Sequence, residues 1–500
     1  MTPVEGAIQP TTFGVVGTGV IGSGWAVRAL SRGIDVVAWD PAPGAEDRLR
    51  QAIARAWPSV RRLGLYQGAE PDRIRFAGTP EEVCHSADFI QESAPEDEDL
   101  KRMLLARLDA ASPPETIIAS SSSGLLPTRI ASGCARPDRV LIGHPFNPVY
   151  LLPLCEVVGG AETSAGAVER AAAVYDFLDM YPLVVRREVP GYLSDRLQEA
   201  LWRETLHLVN DGIATTAELD DAIIYGPGLR WAGMGTNLTF HLAGGSEGMR
   251  HMLEQFGPAL KLPWSKLEAP ELTGSLIDSM VEGTGRQAGE RSVEELEQLR
   301  DDYLIATMRA LRSVGLGAGE ILARREARRY GETSRTWSES TVVPAPLELY
   351  RCDVEPDWVD YNRHMTEAAY LTAFGWATDA LFRYIGDDED YRAAGHSFYT
   401  VETHINYLRE VAGDDSLRFT TLVVGLDGKR LHIYHEMFDE TAGDLVATTE
   451  QMLLHMDTTA GRPAPIGGRP ARALRAIRRA HAAMDRPGYL GRVMKTRETS

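Results

Sequence analysis

The chain has 500 residues, 44% hydrophobic and 25% charged, which is long enough for two to four globular domains and too apolar for a disordered or fibrous chain. Acidic residues outnumber basic ones, 71 to 52, for a formal charge of -19. That balance repels phosphate backbones and anionic lipid, which argues against nucleic acid and membrane surfaces as partners and is compatible with a cationic small molecule.

The four cysteines, Cys84, Cys134, Cys155 and Cys352, are scattered without metal-ligand spacing and read as reduced thiols, so no metal is expected. Residues 1–10 have neither a basic nor an apolar leader pattern. No apolar run approaches the roughly 18 residues that a membrane span needs, and the cytoplasm is the expected compartment.

In chain order, residues 13–16 read as a strand, followed by Gly17-Thr18-Gly19-Val20-Ile21-Gly22 and a helical pattern through Trp25, Ala26, Ala29 and Leu30. A second strand at 36–39 ends in Asp40, and further strands are expected at 88–90 and 116–119 with helices between them. This alternation predicts a parallel, doubly wound α/β sheet within residues 1–188. Glycines between a strand and a helix, with an acid closing the next strand, are the context of a dinucleotide-binding Rossmann domain. Gly17 permits the tight turn, Gly19 lets the pyrophosphate approach the helix start at Val20 and Ile21, and Gly22 lets helix and strand pack closely. Asp40 can accept both ribose hydroxyls and would repel a 2′-phosphate, and 41–44 hold no arginine, so the cofactor should be NAD rather than NADP.

Ser120-Ser121-Ser122-Ser123 follows the strand at 117–119, near a carboxyl end of the sheet, where ligands bind. Gly143-His144-Pro145-Phe146-Asn147-Pro148 comes next, with Glu156 beyond it. Alcohol oxidation needs a base for the hydroxyl proton as hydride leaves, a task suited to histidine, and a carboxylate partner orients the ring. From 189 to 330 long amphipathic patterns, such as 197–209 and 293–314, predict an all-helical domain.

Together these features resemble the 3-hydroxyacyl-CoA dehydrogenase family, over about residues 11–325. Its signature H-x-F-N-P, followed by L-x-E-V, is matched by His144, Phe146, Asn147, Pro148 and Glu156. The resemblance implies a Rossmann domain joined to an all-α dimerisation domain, and with it a homodimer or higher homo-oligomer. It also implies His144 as general base, Glu156 as its partner and Ser123 as donor to the substrate oxygen, with Glu92, Glu96 and Lys101 near the nicotinamide. The family usually reads P-G-F-x-x-N-R where this chain has Pro190-Gly191-Tyr192-Leu193-Ser194-Asp195-Arg196. Asp195, an acceptor-only carboxylate when ionised, speaks against an acyl-CoA and suits a cationic substrate. Residues 226–235 and 240–245 look like the L-carnitine-oxidising branch, whose trimethylammonium substrate wants aromatic faces and a nearby carboxylate. Phe146, Tyr192 and Trp231 are the candidate faces, and Asn147 is a further substrate candidate.

Residues 331–346 read as a linker. Beyond it come an alternating run at 347–354, a helix at about 366–384 and strands at 397–408, 417–425, 431–438 and 445–455, with Asp427-Gly428 as a hairpin turn. One long helix and an antiparallel meander predict an α+β domain over 347–465. Asp360-Tyr361-Asn362-Arg363-His364-Met365 precedes the helix and resembles the D-x-x-x-H-[MV] motif of hotdog-fold acyl-CoA thioesterases of the 4-hydroxybenzoyl-CoA type. The resemblance implies Asp360 as nucleophile or general base, with backbone N–H groups at the helix N-terminus polarising the thioester. His364 is either a site residue or a loop hydrogen-bonder, and Glu402 is expected to face a neighbouring subunit's site. Arg363 stands where many relatives carry glycine, so the loop backbone is expected to differ. Residues 466–500, arginine-rich with Leu474, Ile477 and Ala480 at helical spacing, read as a solvated helix or tail. The two resemblances imply NAD-dependent oxidation of carnitine to 3-dehydrocarnitine and hydrolysis of betainyl-CoA to glycine betaine and CoA. The alternative is a dehydrogenase for another 3-hydroxy acid or 3-hydroxyacyl-CoA, with a general thioesterase or a catalytically silent hotdog module.

Overall fold

β-Branched runs separated by amphipathic stretches line up as one sheet in the computed structural model, which describes residues 10–492 except 259–261, 263, 267, 269, 334–335, 356–357 and 414. Its strands are β1 (Thr12–Val16), β2 (Asp35–Trp39), β3 (Ile74–Phe76), β4 (Phe89–Glu92), β5 (Ile117–Ser120), β6 (Val140–Pro145), β7 (Leu154–Gly159) and β8 (Tyr181–Val185), in the order β3-β2-β1-β4-β5-β6-β7-β8. The helices between them are α1 (Val20–Ser31), α2 (Ala45–Arg62), α3 (Pro80–Ser86), α4 (Glu98–Ala111), α5 (Pro127–Ile130) and α6 (Ala165–Phe177). Phe13, Trp25, Leu30 and Phe89 belong to one apolar core cluster of this sheet, and Val16, Ile90, Ile118 and Ile142 to another.

The sheet is not parallel throughout. β7 runs antiparallel to β6, with His144 opposite Glu156. The connection over 146–153 is too short for the dozen or so residues that a parallel crossover requires.

The helices that follow are α7 (Ser194–Asn210), α8 (Thr216–Ile224), α9 (Pro227–Ala243), α10 (Gly248–Phe256), α11 (Gly274–Ala288), α12 (Val293–Val314) and α13 (Ala318–Thr333). Ile305, Met308 and Leu322 of α12 and α13 pack with Leu63 and Leu151 of the sheet domain. Asp301 ties them down, accepting from Ser59 Oγ at 2.9 Å and Tyr150 OH at 2.8 Å. On α7–α9, Leu197, Ile224, Leu229 and Phe240 are exposed. No helix among the described residues is long and apolar enough to cross a membrane.

The described residues from 330 onward form a second compact unit. Its elements are β9 (Leu347–Asp353), α14 (Glu367–Ile385), α15 (Glu389–Ala393), β10 (His396–Tyr407), β11 (Ser416–Leu426), β12 (Arg430–Asp439), β13 (Leu445–Asp457), β14 (Arg462–Pro463) and α15's successor α16 (Gly468–His481). The sheet runs β10-β13-β12-β11-β9, antiparallel throughout, with β14 pairing β13. α14 buries Ala369, Tyr370, Ala373, Phe374, Ala377 and Leu381, one stripe at helical spacing. Inside, His435 is enclosed between Thr378 and Thr421, and burial pushes its imidazole down to about 3.

Two sequence readings change here. Trp337, in the stretch read as a linker, is buried in this unit's core, and its backbone N–H donates to Tyr384 O at 2.8 Å. The arginine-rich segment read as a solvated tail includes α16, which buries Ala473, Leu474 and Ile477 in the same core. Its arginines take the other face, so the helix is amphipathic and docked, not solvated on all sides.

Candidate active sites

Gly17 has φ +91, and a Cβ there would lie 2.7 Å from the Ser93 backbone; at Gly22 it would lie 1.8 Å from Gly17 O. These two glycines let the turn form and α1 pack down. A Cβ on Gly19 would meet nothing within 4 Å, so its backbone borders open cleft. No side chain caps α1, whose first N–H groups are therefore available to an anion. The cleft, about 710 Å³, is lined by Gly17, Gly19, Val20, Ile21 and Asp40 among others. Asp40 Oδ2 accepts from Thr18 N at 2.8 Å and Thr18 Oγ1 at 3.2 Å, and Oδ1 accepts from Ala42 N at 2.8 Å and keeps capacity for a hydroxyl. These residues fit a dinucleotide with an unphosphorylated ribose. Arg107 also lines the cleft, but its guanidinium is held by both oxygens of Glu81.

The second cleft, about 1070 Å³, is lined by Glu96, Ser123, Asp195, Glu199 and Trp202 among others. Just behind Asp195, His144 Nδ1 meets Glu156 Oε2 at 3.0 Å, both residues being buried, and Nε2 lies 3.7 Å from Asp195 Oδ2. Glu156 Oε1 accepts the N–H groups of Leu193 and Ser194 at 3.0 Å each. Burial alone would push the Glu156 carboxyl up, but the His144 bond and those two N–H groups outweigh it and hold it below the usual range. Asp195, on the first turn of α7, is raised instead, by burial and by the fields of Glu156, Glu199 and Glu96 against that of His144. A base oriented by a carboxylate, beside a half-buried second carboxylate, can take a proton from a hydroxyl while favouring a cation next to it.

Glu96 Oε1 accepts from Ser123 N at 3.0 Å, from Gly124 N at 3.1 Å and from Ser122 Oγ, which shapes the serine loop. Trp25, Gln91 and Ser93 all hydrogen-bond Ser121 Oγ and hold that loop from below. Lys101 lies behind Ala94, which lines the dinucleotide cleft. It is enclosed, donating to Glu92 at 2.9 Å and to Ala94 O at 3.0 Å, and so braces the turn behind the cleft. Tyr192 is also fully buried, its OH donating to Leu125 O at 2.6 Å and its ring 5.5 Å from that of His144. It offers no free face to a substrate. Phe146 stands 5.0 Å from the His144 ring, and exposed Asn147 follows it. Trp231, on α9, is not among the residues lining this cleft.

In the second unit, Asp360 Oδ1 accepts from Asn362 N at 2.8 Å and His364 N at 3.3 Å, in the loop that leads to the uncapped N-terminus of α14. His364 Nδ1 lies 3.6 Å from Glu410. Arg363 has φ +66, a left-handed conformation that favours glycine. Glu402 is exposed on the edge strand β10, at a register shift of the β10–β13 ladder.

Residues 12–189 match the model of the 3-hydroxyacyl-CoA dehydrogenase NAD binding domain, and 191–289 that of the same family's C-terminal domain. The chain is 44% identical over 97% of its length, and 99% of the relative's, to an L-carnitine dehydrogenase/betainyl-CoA thioesterase of Agrobacterium fabrum. The chain belongs to the 3-hydroxyacyl-CoA dehydrogenase family. Behind its dehydrogenase domains, residues 354–473 match a thioesterase-like superfamily. An L-carnitine dehydrogenase of Pseudomonas aeruginosa is 61% identical over 60% of this chain and 94% of its own. Among solved structures, an NAD+-dependent dismutase, FHMPC 5-dehydrogenase, is 26% identical with a TM-score of 0.53, over 60% of this chain and 98% of its own.

This dehydrogenase thus carries an NAD-binding domain, and His144, Glu156, Ser123, Glu96 and Asp195 converge at or beside one cleft. The sequence reading missed Trp202 and Glu199 on its wall. Both follow Asp195 at helical spacing, a signal available in the sequence.

Proposed function

We propose that this protein is a bifunctional cytoplasmic enzyme that oxidises L-carnitine to 3-dehydrocarnitine with NAD and hydrolyses betainyl-CoA to glycine betaine and CoA. The observation that carries the first activity is Asp195, a carboxylate 3.7 Å from the Nε2 of a carboxylate-paired histidine and on the wall of the same cleft. His144 Nε2 takes the C3 hydroxyl proton, and the imidazolium that forms is stabilised through Nδ1 by Glu156. Ser123 donates to the substrate oxygen, and Asp195 faces the trimethylammonium group. NAD, when bound along the Gly17–Gly22 turn, supplies the acceptor for the C3 hydride.

In the second unit, Asp360 acts as nucleophile or general base on the thioester, with the α14 N-terminus polarising its carbonyl. A second reading has its own support: Asp360 is engaged by two N–H groups of its own loop, which fits a silent CoA-binding module. A homodimer is favoured by the exposed apolar residues of α7–α9 and by β10, where Tyr399 and Val401 are exposed on an edge strand beside Glu402.

The test is NAD reduction with L-carnitine, 3-hydroxybutyrate and 3-hydroxybutyryl-CoA, together with CoA release from betainyl-CoA. Carnitine should give the highest kcat/KM by at least tenfold, and Asp360→Ala should abolish CoA release. Preference for 3-hydroxybutyryl-CoA would overturn the first activity, and absence of hydrolysis in the unmodified protein would favour the silent module.

A further inference from the structure

We propose that Trp202 is the aromatic half of the cation site and sets the dehydrogenase's preference for a quaternary ammonium substrate, an inference that rests on reading L-carnitine as that substrate. Trp202 follows Asp195 on α7 by about two helical turns, so both side chains leave the same face of the helix. Both line the cleft beside His144. Helical side chains lean toward the N-terminus, which brings the indole over the turn at Gln198 and Glu199 and inclines it toward Asp195.

Trp202 is 48% exposed, an unusual share for a residue whose large apolar surface is normally well buried. It is one of the residues that line the cleft. Of the aromatics singled out in the sequence, Tyr192 is enclosed, Phe146 stands against the His144 ring, and Trp231 is not on this wall.

The carboxylates around the cleft are not equivalent. Glu96 is engaged with the serine loop, and Glu199 is paired with Arg203 at 3.0 Å. For Asp195 the ion partner is His144, at 3.7 Å. A cation held between Asp195 and the indole would offset both the burial and the negative field that raise the Asp195 carboxyl. A trimethylammonium group has no hydrogen to donate and spreads its charge over its methyls. It is therefore recognised by a carboxylate's field and an aromatic face, best of all an indole.

Steady-state NAD reduction by the full chain, Trp202→Leu and Trp202→Phe tests this. The substrates are L-carnitine and its neutral isostere 3-hydroxy-5,5-dimethylhexanoate, in which carbon replaces the ammonium nitrogen. Trp202→Leu should raise KM for carnitine about five- to thirty-fold, with kcat and the KM for NAD little changed. Trp202→Phe should recover part of the loss, and the isostere should lose no more than about twofold. Equal losses on both substrates would mean that the indole only packs, and an unchanged carnitine KM would remove it from the site; either overturns the proposal alone. If Trp202→Leu fails to fold, Trp202→Phe carries the same comparison, with a smaller loss confined to carnitine expected. If the unmodified enzyme oxidises the isostere but not carnitine, the substrate reading fails and the proposal falls with it.

Discussion

The surroundings of Asp195 work against its charged form. Burial and three neighbouring carboxylates raise its carboxyl, so the folded protein takes up a proton there more readily than the unfolded chain does. Such a group supports folding below its unfolded pKa and loses that contribution as pH rises through its folded value, so at neutral pH it is a net cost. Asp195→Asn should therefore raise the melting temperature at pH 7 to 8 while raising KM for carnitine, with less effect on the neutral isostere. A lower melting temperature with unchanged KM would refute the assignment. Asp387 follows the same sign in the second unit: burial lifts its carboxyl to about 6, opposed by Arg392. Asp387→Asn should stabilise that unit by up to roughly 3 kcal/mol at pH 8 and by little at pH 4, as read by denaturant titration at both pH values.

Among the elements, α16 and the strand of chain around Trp337 decide what the second unit needs in order to fold. Trp337, Leu474 and Ile477 share one core cluster, and each buried side chain of this size contributes about 1.5–3 kcal/mol. A fragment spanning 336–492 should melt cooperatively, whereas 347–465, which lacks all three, should be unfolded or molten by circular dichroism. Equal melting of the two would show that these contacts are dispensable. The strands and α14 were legible because alternation and helical spacing are local signals. The packing of α16 was not, because the helical spacing of Leu474 and Ile477 marks a helix but not the core that it meets. At the first site, glycine spacing and the H-x-F-N-P resemblance located the turn and the paired His144 and Glu156. The enclosure of Lys101 and Tyr192 was hidden, since burial depends on what the rest of the chain brings to them.

At the scale of the whole molecule, the two units have separate cores, and His144 and Asp360 belong to different ones. Distant, independent sites have additive effects. His144→Ala should lower the dehydrogenase kcat by ~10²–10⁴ and leave CoA release within about twofold. Asp360→Ala should do the reverse. Loss of NAD reduction in a folded Asp360→Ala protein would contradict two self-sufficient units.

The pairing of His144 with Glu156 across β6 and β7 also limits how the gene can change length. Side chains alternate faces along a strand, so inserting or deleting one codon within 154–159 ahead of Glu156 turns the carboxylate to the other side of the sheet. The histidine would lose its partner even though the strand still formed. The exposed turn around 161–162, which holds no such partner, can absorb the same change. Frame-preserving codon gains and losses should therefore spare oxidation in that turn and abolish it in β7 ahead of Glu156, with NAD binding kept in both cases.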